Sequence, residues 1–350
     1  MSELKPRPAV ERMAPYVPPT GGRAGKLRLD FNENTVGCSP AVVQFLRDNL
    51  SAGTLAMYPE YEDARAELAA FFEVPVDEML FTNGTDEAIQ VLVNTYVGDG
   101  DDVVVLKPSY AMYRFYAEVA GASIREIPFR PGDLSFPAEE LVAAIRPETK
   151  AILIANPNNP TGTGTTIKVI HELLNAAPQA AVLIDEAYFE FSGVTVLGKQ
   201  KHHPNLFVSR TFSKTYGMAA MRFGCVFSQA ANIRWLHKAQ SPYSVNTLAA
   251  LAARAAVRDR EYVRNYVEEV IASRHLISSG FDRMGIRYFP SKANFVLFEA
   301  GDRAISIRDE LRRRGVLVRD RSYEIAGSVR VTCGTREHAQ RFLKELESIW

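Results

Sequence analysis

Lys214 lies in the run Thr-Phe-Ser-Lys-Thr-Tyr-Gly, straight after an apolar stretch, and Arg222 follows it by eight residues. Most lysines are solvated surface residues; one that follows a buried strand offers an amine that can bond to a carbonyl carbon. Asp185 comes directly after AVLI and opens Asp185-Glu186-Ala187-Tyr188. It could cap a helix or face solvent, but a carboxylate held at a buried strand end otherwise needs a cationic partner. Gly84-Thr85-Asp86, after MLFT, fits a tight turn with an N-cap or a helix start whose N–H groups receive a phosphate. The stretch 156–162 (NPNNPTG) fits a rigid loop, or a loop that holds the Asn159 amide against a ligand.

These pieces describe one ligand. A phosphate takes the helix start, the hydroxyls of Ser213 and Thr211, and Arg222; a ring cation takes Asp185. A ring hydroxyl takes an amide or a phenol, Asn159 or Tyr188; a flat ring takes the face of Tyr110; a carbonyl takes Lys214. Pyridoxal 5'-phosphate, held as a Schiff base on Lys214, has all of these features.

The elements that must position them are legible as short apolar runs. Runs at 79–82, 103–106, 151–155, 181–184 and 206–209 each end in turn chemistry followed by one of these side chains, and a sixth run spans 223–227. Runs this short and continuously apolar fit strands buried on both faces. The helical stretches between them, such as 86–96 and 167–176, make the fold class α/β, with a large, mostly parallel sheet flanked by helices. Ligands bind such sheets outside the carboxyl ends of the strands, which is where the five turns lie. After about residue 245 the pattern changes to a helical region (247–279), a strand (293–298), a helix (305–314), strands near 316–318 and 328–332, and a last helix from Arg336. Prolines 6, 8, 15, 18 and 19 and Gly21-Gly22 suit an extended arm. The expected organisation is an N-terminal arm (1–28), a large cofactor-binding domain (29–245) and a smaller C-terminal α+β domain (246–350).

Composition excludes other classes. The 350 residues are 47% hydrophobic and 23% charged, unlike a disordered chain. The 41 basic and 41 acidic side chains cancel, so no net field draws the molecule to nucleic acid or an anionic membrane. No apolar run approaches the roughly 20 residues that cross a bilayer, and the N-terminus lacks the apolar core of a signal peptide, so a cytoplasmic location is expected. Cys38, Cys225 and Cys333 stand singly, with neither C-x-x-C nor metal spacing, so reduced thiols and no metal are expected.

The blocks TNGTDEA, KPSY, NPNNPTG, DEAY and SRTFSKTYGMAAMR, with FNEN near the start and VRVTCGT near the end, resemble the fold-type-I, pyridoxal-phosphate-dependent aminotransferases. Within these, FNEN, MYPE, LVRD and VTCGT are most similar to the histidinol-phosphate aminotransferases. The resemblance implies that Lys214 carries the cofactor, Asp185 pairs with its pyridinium nitrogen, Asn159 and Tyr188 bind the ring oxygen, and Tyr110 stacks on the ring. Gly84, Thr85, Ser213 and Arg222, with Thr211, would hold the phosphate. Tyr58 resembles the tyrosine that reaches a cofactor phosphate across a dimer interface, implying a homodimer with shared sites. Arg330 matches the arginine for the substrate's anionic end, and Arg319, Tyr16 and Asn32 match residues lining the same pocket. Thr35, Cys38 and Ala220 depart from the usual pattern, as does the loop between Arg321 and Arg330.

The implied reaction exchanges an amino group between histidinol phosphate, a small-molecule donor, and the acceptor 2-oxoglutarate, a step of histidine biosynthesis. Catalysis would fall to Lys214, Asp185 and Tyr188. Rival readings are an aromatic amino acid aminotransferase and a lyase or decarboxylase using the same cofactor. A nicotinamide dehydrogenase has only Gly162-Thr163-Gly164-Thr165-Thr166-Ile167, which lacks the last glycine of its motif. A cofactor-binding regulator would need an added nucleic-acid module.

Overall fold

A computed structural model describes residues 4–15 and 21–350. The six apolar runs all become strands of one seven-stranded sheet. Its spatial order is Met79–Thr82, Gly224–Phe227, Leu206–Thr211, Ala181–Asp185, Thr149–Ala155, Asp102–Lys107 and Ser123–Pro128. Gly224–Phe227 runs antiparallel to both neighbours and every other pairing is parallel, so the five runs expected to carry the site point the same way. Alternate residues enter separate cores. Val103, Val105, Leu153, Leu183 and Phe207 pack toward helices Gly84–Tyr96 and Ala111–Ala120. Val104, Leu106, Ile152, Ile184 and Val208 pack toward Pro40–Asn49, Ile167–Ala176 and Thr247–Arg258. Burial on both faces is why these runs lack the polar alternation of a one-sided sheet.

The seventh strand, Ser123–Pro128 (SIREIP), has no apolar run and was not expected. It is one of the sheet's two edge strands, exposed at both ends and half-buried between them, with Arg125 reaching across to Asp102 at 2.6 Å. An edge position tolerates such charged residues, and they discourage pairing with another chain.

The helical region expected at 247–279 is two helices, Thr247–Arg258 and Arg260–Met284. The break is Asp259, whose Oδ1 caps the second helix by accepting from the Tyr262 N–H at 3.2 Å. The remaining sheet is antiparallel, in the order Arg319–Asp320, Ser328–Thr332, Phe295–Glu299, Tyr288–Phe289. It encloses Phe281, Phe295, Phe298 and Phe342 with helices Arg260–Met284, Ala304–Arg313 and Arg336–Glu347. Val316–Leu317 lies outside it, paired in parallel with Leu27–Arg28. In the arm, Pro8 starts one helical turn, Pro8–Glu11, at the position where a missing N–H is harmless.

Residues 29–32 then run along the small sheet: Thr332 N–H donates to Leu29 O at 2.9 Å, and Asn294 Nδ2 to Asn32 O at 3.1 Å. These bonds set the FNEN block between the two sheets. Among the described residues no helix is long and apolar enough to cross a membrane, and no group of three or more His, Cys, Asp or Glu could hold a metal ion.

Candidate active site

The carboxyl ends of the five parallel strands open into a cavity of about 460 Å³. At one end, helix Gly84–Tyr96 begins with no side chain capping it. Gly84 has φ +72°, and a Cβ there would lie 2.5 Å from Arg222 Nη2, so glycine lets the guanidinium lie over the helix start. Gly224 serves the same approach from the next strand: its Cβ would sit 3.0 Å from Thr85 N. Thr85, Thr211, Ser213 and Arg222 all line this end. Thr211 Oγ1 accepts from the Ser213 N–H at 3.1 Å, which leaves its hydroxyl hydrogen for a ligand. Arg222 holds a left-handed φ of +56° and ion-pairs through Nη2 with Asp86 Oδ2 at 3.0 Å. Asp86 Oδ1 in turn accepts from the Tyr110 hydroxyl at 2.7 Å.

Asp185 closes its strand at 3% exposure. Hydroxyls of Tyr113 and Ser209 each donate to it at 2.8 Å. Burial nevertheless pushes its carboxyl up to about 6, because desolvation disfavours the charged form. Among the described residues it has no cationic partner, so it is a buried anion set up for a positive ligand. Tyr188, also buried, accepts from Asn32 Nδ2 at 3.0 Å, and burial raises its pKa. Asn32 adopts φ +56°, a second left-handed non-glycine residue in the cavity wall. Such backbone strain clusters at functional sites.

Lys214 Nζ donates to Phe31 O at 3.0 Å, so the FNEN block holds the amine in place. Burial, and then the charge of Arg330, lowers the Lys214 pKa to about 8. Arg330, 4% exposed, donates through Nη2 to Asp30 O at 2.8 Å and through Nη1 to Asn159 Oδ1. Its Nε is buried without a partner. Burial and the neighbouring Arg321 lower its pKa to about 10.

The fold thus brings together Thr85, Tyr110, Asn159, Asp185, Tyr188, Thr211, Ser213, Lys214, Arg222, Arg319, Arg330 and Asn32 around one cavity, with Gly84 beneath Arg222. Tyr58 is not among them: it is 75% exposed, stacked on Tyr243 with ring centroids 4.4 Å apart. Tyr16 lies outside the described residues. Sequence reasoning missed Tyr113, Ser209, Arg321 and Glu324, and gave Asp86 no role beyond the turn. Tyr113 looks like any apolar-face helix residue. Asp86 carried a faint signal, an acid in a helix's first turn, but that is the ordinary way to offset the dipole.

Residues 24–346 match the family Aminotransferase class I and II. The chain belongs to the class I and II aminotransferases. It is 37% identical to the histidinol-phosphate aminotransferase of Symbiobacterium thermophilum over 98% of both chains. The solved histidinol-phosphate aminotransferase from Sinorhizobium meliloti, in complex with pyridoxal-5'-phosphate, has the same fold, with a TM-score of 0.89 at 23% identity over 100% of this chain and 99% of that one. So has the L-threonine-O-3-phosphate decarboxylase from Porphyromonas gingivalis, with a TM-score of 0.78 at 23% identity over 92% and 98%.

In this aminotransferase the donor set fits the expected cofactor on three observations. Asp185 is a buried carboxylate in want of a cation, which a protonated ring nitrogen supplies. The uncapped helix start beneath Arg222 and two hydroxyls suits a phosphate. Lys214 carries an amine whose lowered pKa leaves an appreciable neutral fraction near neutral pH.

Proposed function

We propose that this aminotransferase binds pyridoxal 5'-phosphate and exchanges an amino group between histidinol phosphate and 2-oxoglutarate, as a homodimer in the cytoplasm. When bound, the cofactor supplies an electron sink for the pair left on substrate Cα once a proton departs. The residues do the rest. Lys214 is the residue that would hold the cofactor at its carbonyl carbon, and its amine, once released by the substrate's, would be the base that moves the proton away from substrate Cα. Asp185 keeps the proton on the ring nitrogen, which its negative charge favours. Asn159 and Tyr188 hold the ring oxygen, and Arg222, Ser213, Thr211 and the helix start at Gly84-Thr85 hold the phosphate.

The observation that carries the substrate reading is Arg330. A buried guanidinium with a nitrogen left unpartnered, in the same cavity wall as Lys214, suits the phosphate of one substrate and a carboxylate of the other. The relatives at 32–37% identity over most of the chain support the same substrate. For the dimer, Leu55, Met57 and Tyr58 expose apolar surface side by side, at 65%, 65% and 75%. Such a patch suits an interface that carries Tyr58 to the partner's cofactor phosphate.

A substrate panel followed by cofactor absorbance tests the assignment. Histidinol phosphate should convert the cofactor to its amino form and 2-oxoglutarate should restore it. Preference for phenylalanine would make the enzyme an aromatic aminotransferase, and carbon dioxide release from phosphothreonine would make it a decarboxylase. Sedimentation should give a dimer, and Tyr58→Phe should weaken cofactor binding without changing the oligomer.

A further inference from the structure

The substrate end of the cavity holds more charge than Arg330 accounts for. Arg319 and Arg321 line it too, and Arg319 Nη1 and Arg321 Nε are buried without partners. One carboxylate faces them. Glu324 N–H donates to Arg321 O at 2.9 Å, and this tight turn sets the two side chains against each other as an ion pair, with 9% and 17% of their surfaces exposed. The other acids of the cavity are engaged elsewhere: Asp86 by Arg222 and Tyr110, Asp185 by Tyr113 and Ser209, Glu33 by Arg23. Burial raises the Glu324 carboxyl pKa against the pull of the surrounding arginines. A buried ion pair contributes little net stability, because both groups have lost their water; this one lies in the loop where the sequence departs from the usual family pattern.

An enzyme that takes two substrates in turn through one site must accept two different side chains in one place. If histidinol phosphate and glutamate both set an anion on Arg330, what remains is an imidazole, with an N–H to donate, in one case and a distal carboxylate in the other. A single fixed polar group would leave one of them unpaired, and an unpaired buried polar group is costly.

Resting on the function proposed above, we infer that the Arg321–Glu324 pair is a two-way specificity element: Glu324 accepts the imidazole N–H of histidinol phosphate, and Arg321 receives the distal carboxylate of glutamate or 2-oxoglutarate. Each substrate engages one member of the pair, and the other member stays neutralised by its neighbours.

Half-reactions of the dimeric holoenzyme, each monitored by cofactor absorbance, separate the two roles. Glu324→Gln should raise KM for histidinol phosphate about tenfold or more and leave KM for glutamate within about twofold, with both kcat values little changed. Arg321→Lys, which keeps the charge but loses the planar fork, should raise KM for glutamate and 2-oxoglutarate instead. Glu324→Asp should recover part of the loss. Equal effects of Glu324→Gln on both substrates, or none on either, would overturn the proposal and leave the pair a structural brace. A melting curve for each variant separates lost recognition from lost folding: Glu324→Gln leaves Arg321 without its anion and should melt lower than the parent, so KM is compared well below both midpoints, where a change confined to histidinol phosphate reports recognition. Should the unaltered enzyme process glutamate but ignore histidinol phosphate, the substrate assignment itself fails, and the Glu324 role fails with it.

Discussion

The Tyr113 hydroxyl donates to Asp185 Oδ2 at 2.8 Å, joining a helix on one face of the large sheet to the carboxylate at the end of its central strand. Hydrogen bonds to the ionised form hold a carboxyl pKa down, and here they oppose burial, which pushes it up to about 6. Tyr113→Phe keeps the ring packing and removes the donor. The Asp185 carboxyl should then rise further, and activity should fall about tenfold near pH 7, more steeply at pH 6 than at pH 8. A pH–rate profile that overlays that of the parent would show that the hydroxyl is not needed.

Asp185 should also weaken the cofactor-free fold. Its folded pKa of about 6 lies above the ordinary 3.8, so between these values the folded state binds more protons than the unfolded one. Stability therefore falls as pH rises through that window and stays low above it, by on the order of 2–3 kcal/mol. Asp185→Asn should raise the melting temperature of the cofactor-free protein at pH 7–8, make little difference at pH 4, and lose most of the activity. A lower melting temperature at pH 8 would contradict this.

At Gly84, an alanine would need a left-handed backbone and would place its Cβ 2.5 Å from Arg222 Nη2. The guanidinium would be driven off the helix start, and with it from a bound phosphate. Gly84→Ala should fold, since the strain is local, but bind pyridoxal phosphate about tenfold to a hundredfold more weakly, about 1.4–2.7 kcal/mol. Equilibrium dialysis or fluorescence quenching would measure it.

For Lys214 the sign runs the other way. Its folded pKa of about 8 is below the ordinary 10.5, so the neutral, nucleophilic amine is populated early. The rate at which the cofactor-free enzyme captures pyridoxal phosphate should climb from pH 6.5 to about 9 and then level. Lys214→Ala should show no borohydride-fixable link at any pH. A capture rate still climbing steeply past pH 10 would mean that the amine is not desolvated as described.

Much of this was open to view in the chain itself. Five apolar runs are buried on both faces because they are strands of a covered sheet, and their ends carried Lys214, Asp185, Asn159, Tyr110 and the Gly84 turn. Strand Ser123–Pro128 was hidden because an edge strand may carry arginine and glutamate without penalty. Tyr113 and Ser209 were hidden because a hydroxyl that supports a carboxylate from another element leaves no local signature.

What the sequence determined alone was the set of reactive groups and the turns that present them, since propensity, burial pattern and turn chemistry act over a few residues. Tertiary structure decided the rest: that Phe31 O holds the Lys214 amine from 183 positions away, that Asp86 restrains both Arg222 and Tyr110, and that the Arg321–Glu324 pair lines the same cavity as Lys214. The first two are contacts between distant segments, and even the last, though local, matters only because the two sheets fold around it. Charge and hydrogen bonding act through space, and only the packed chain sets those distances.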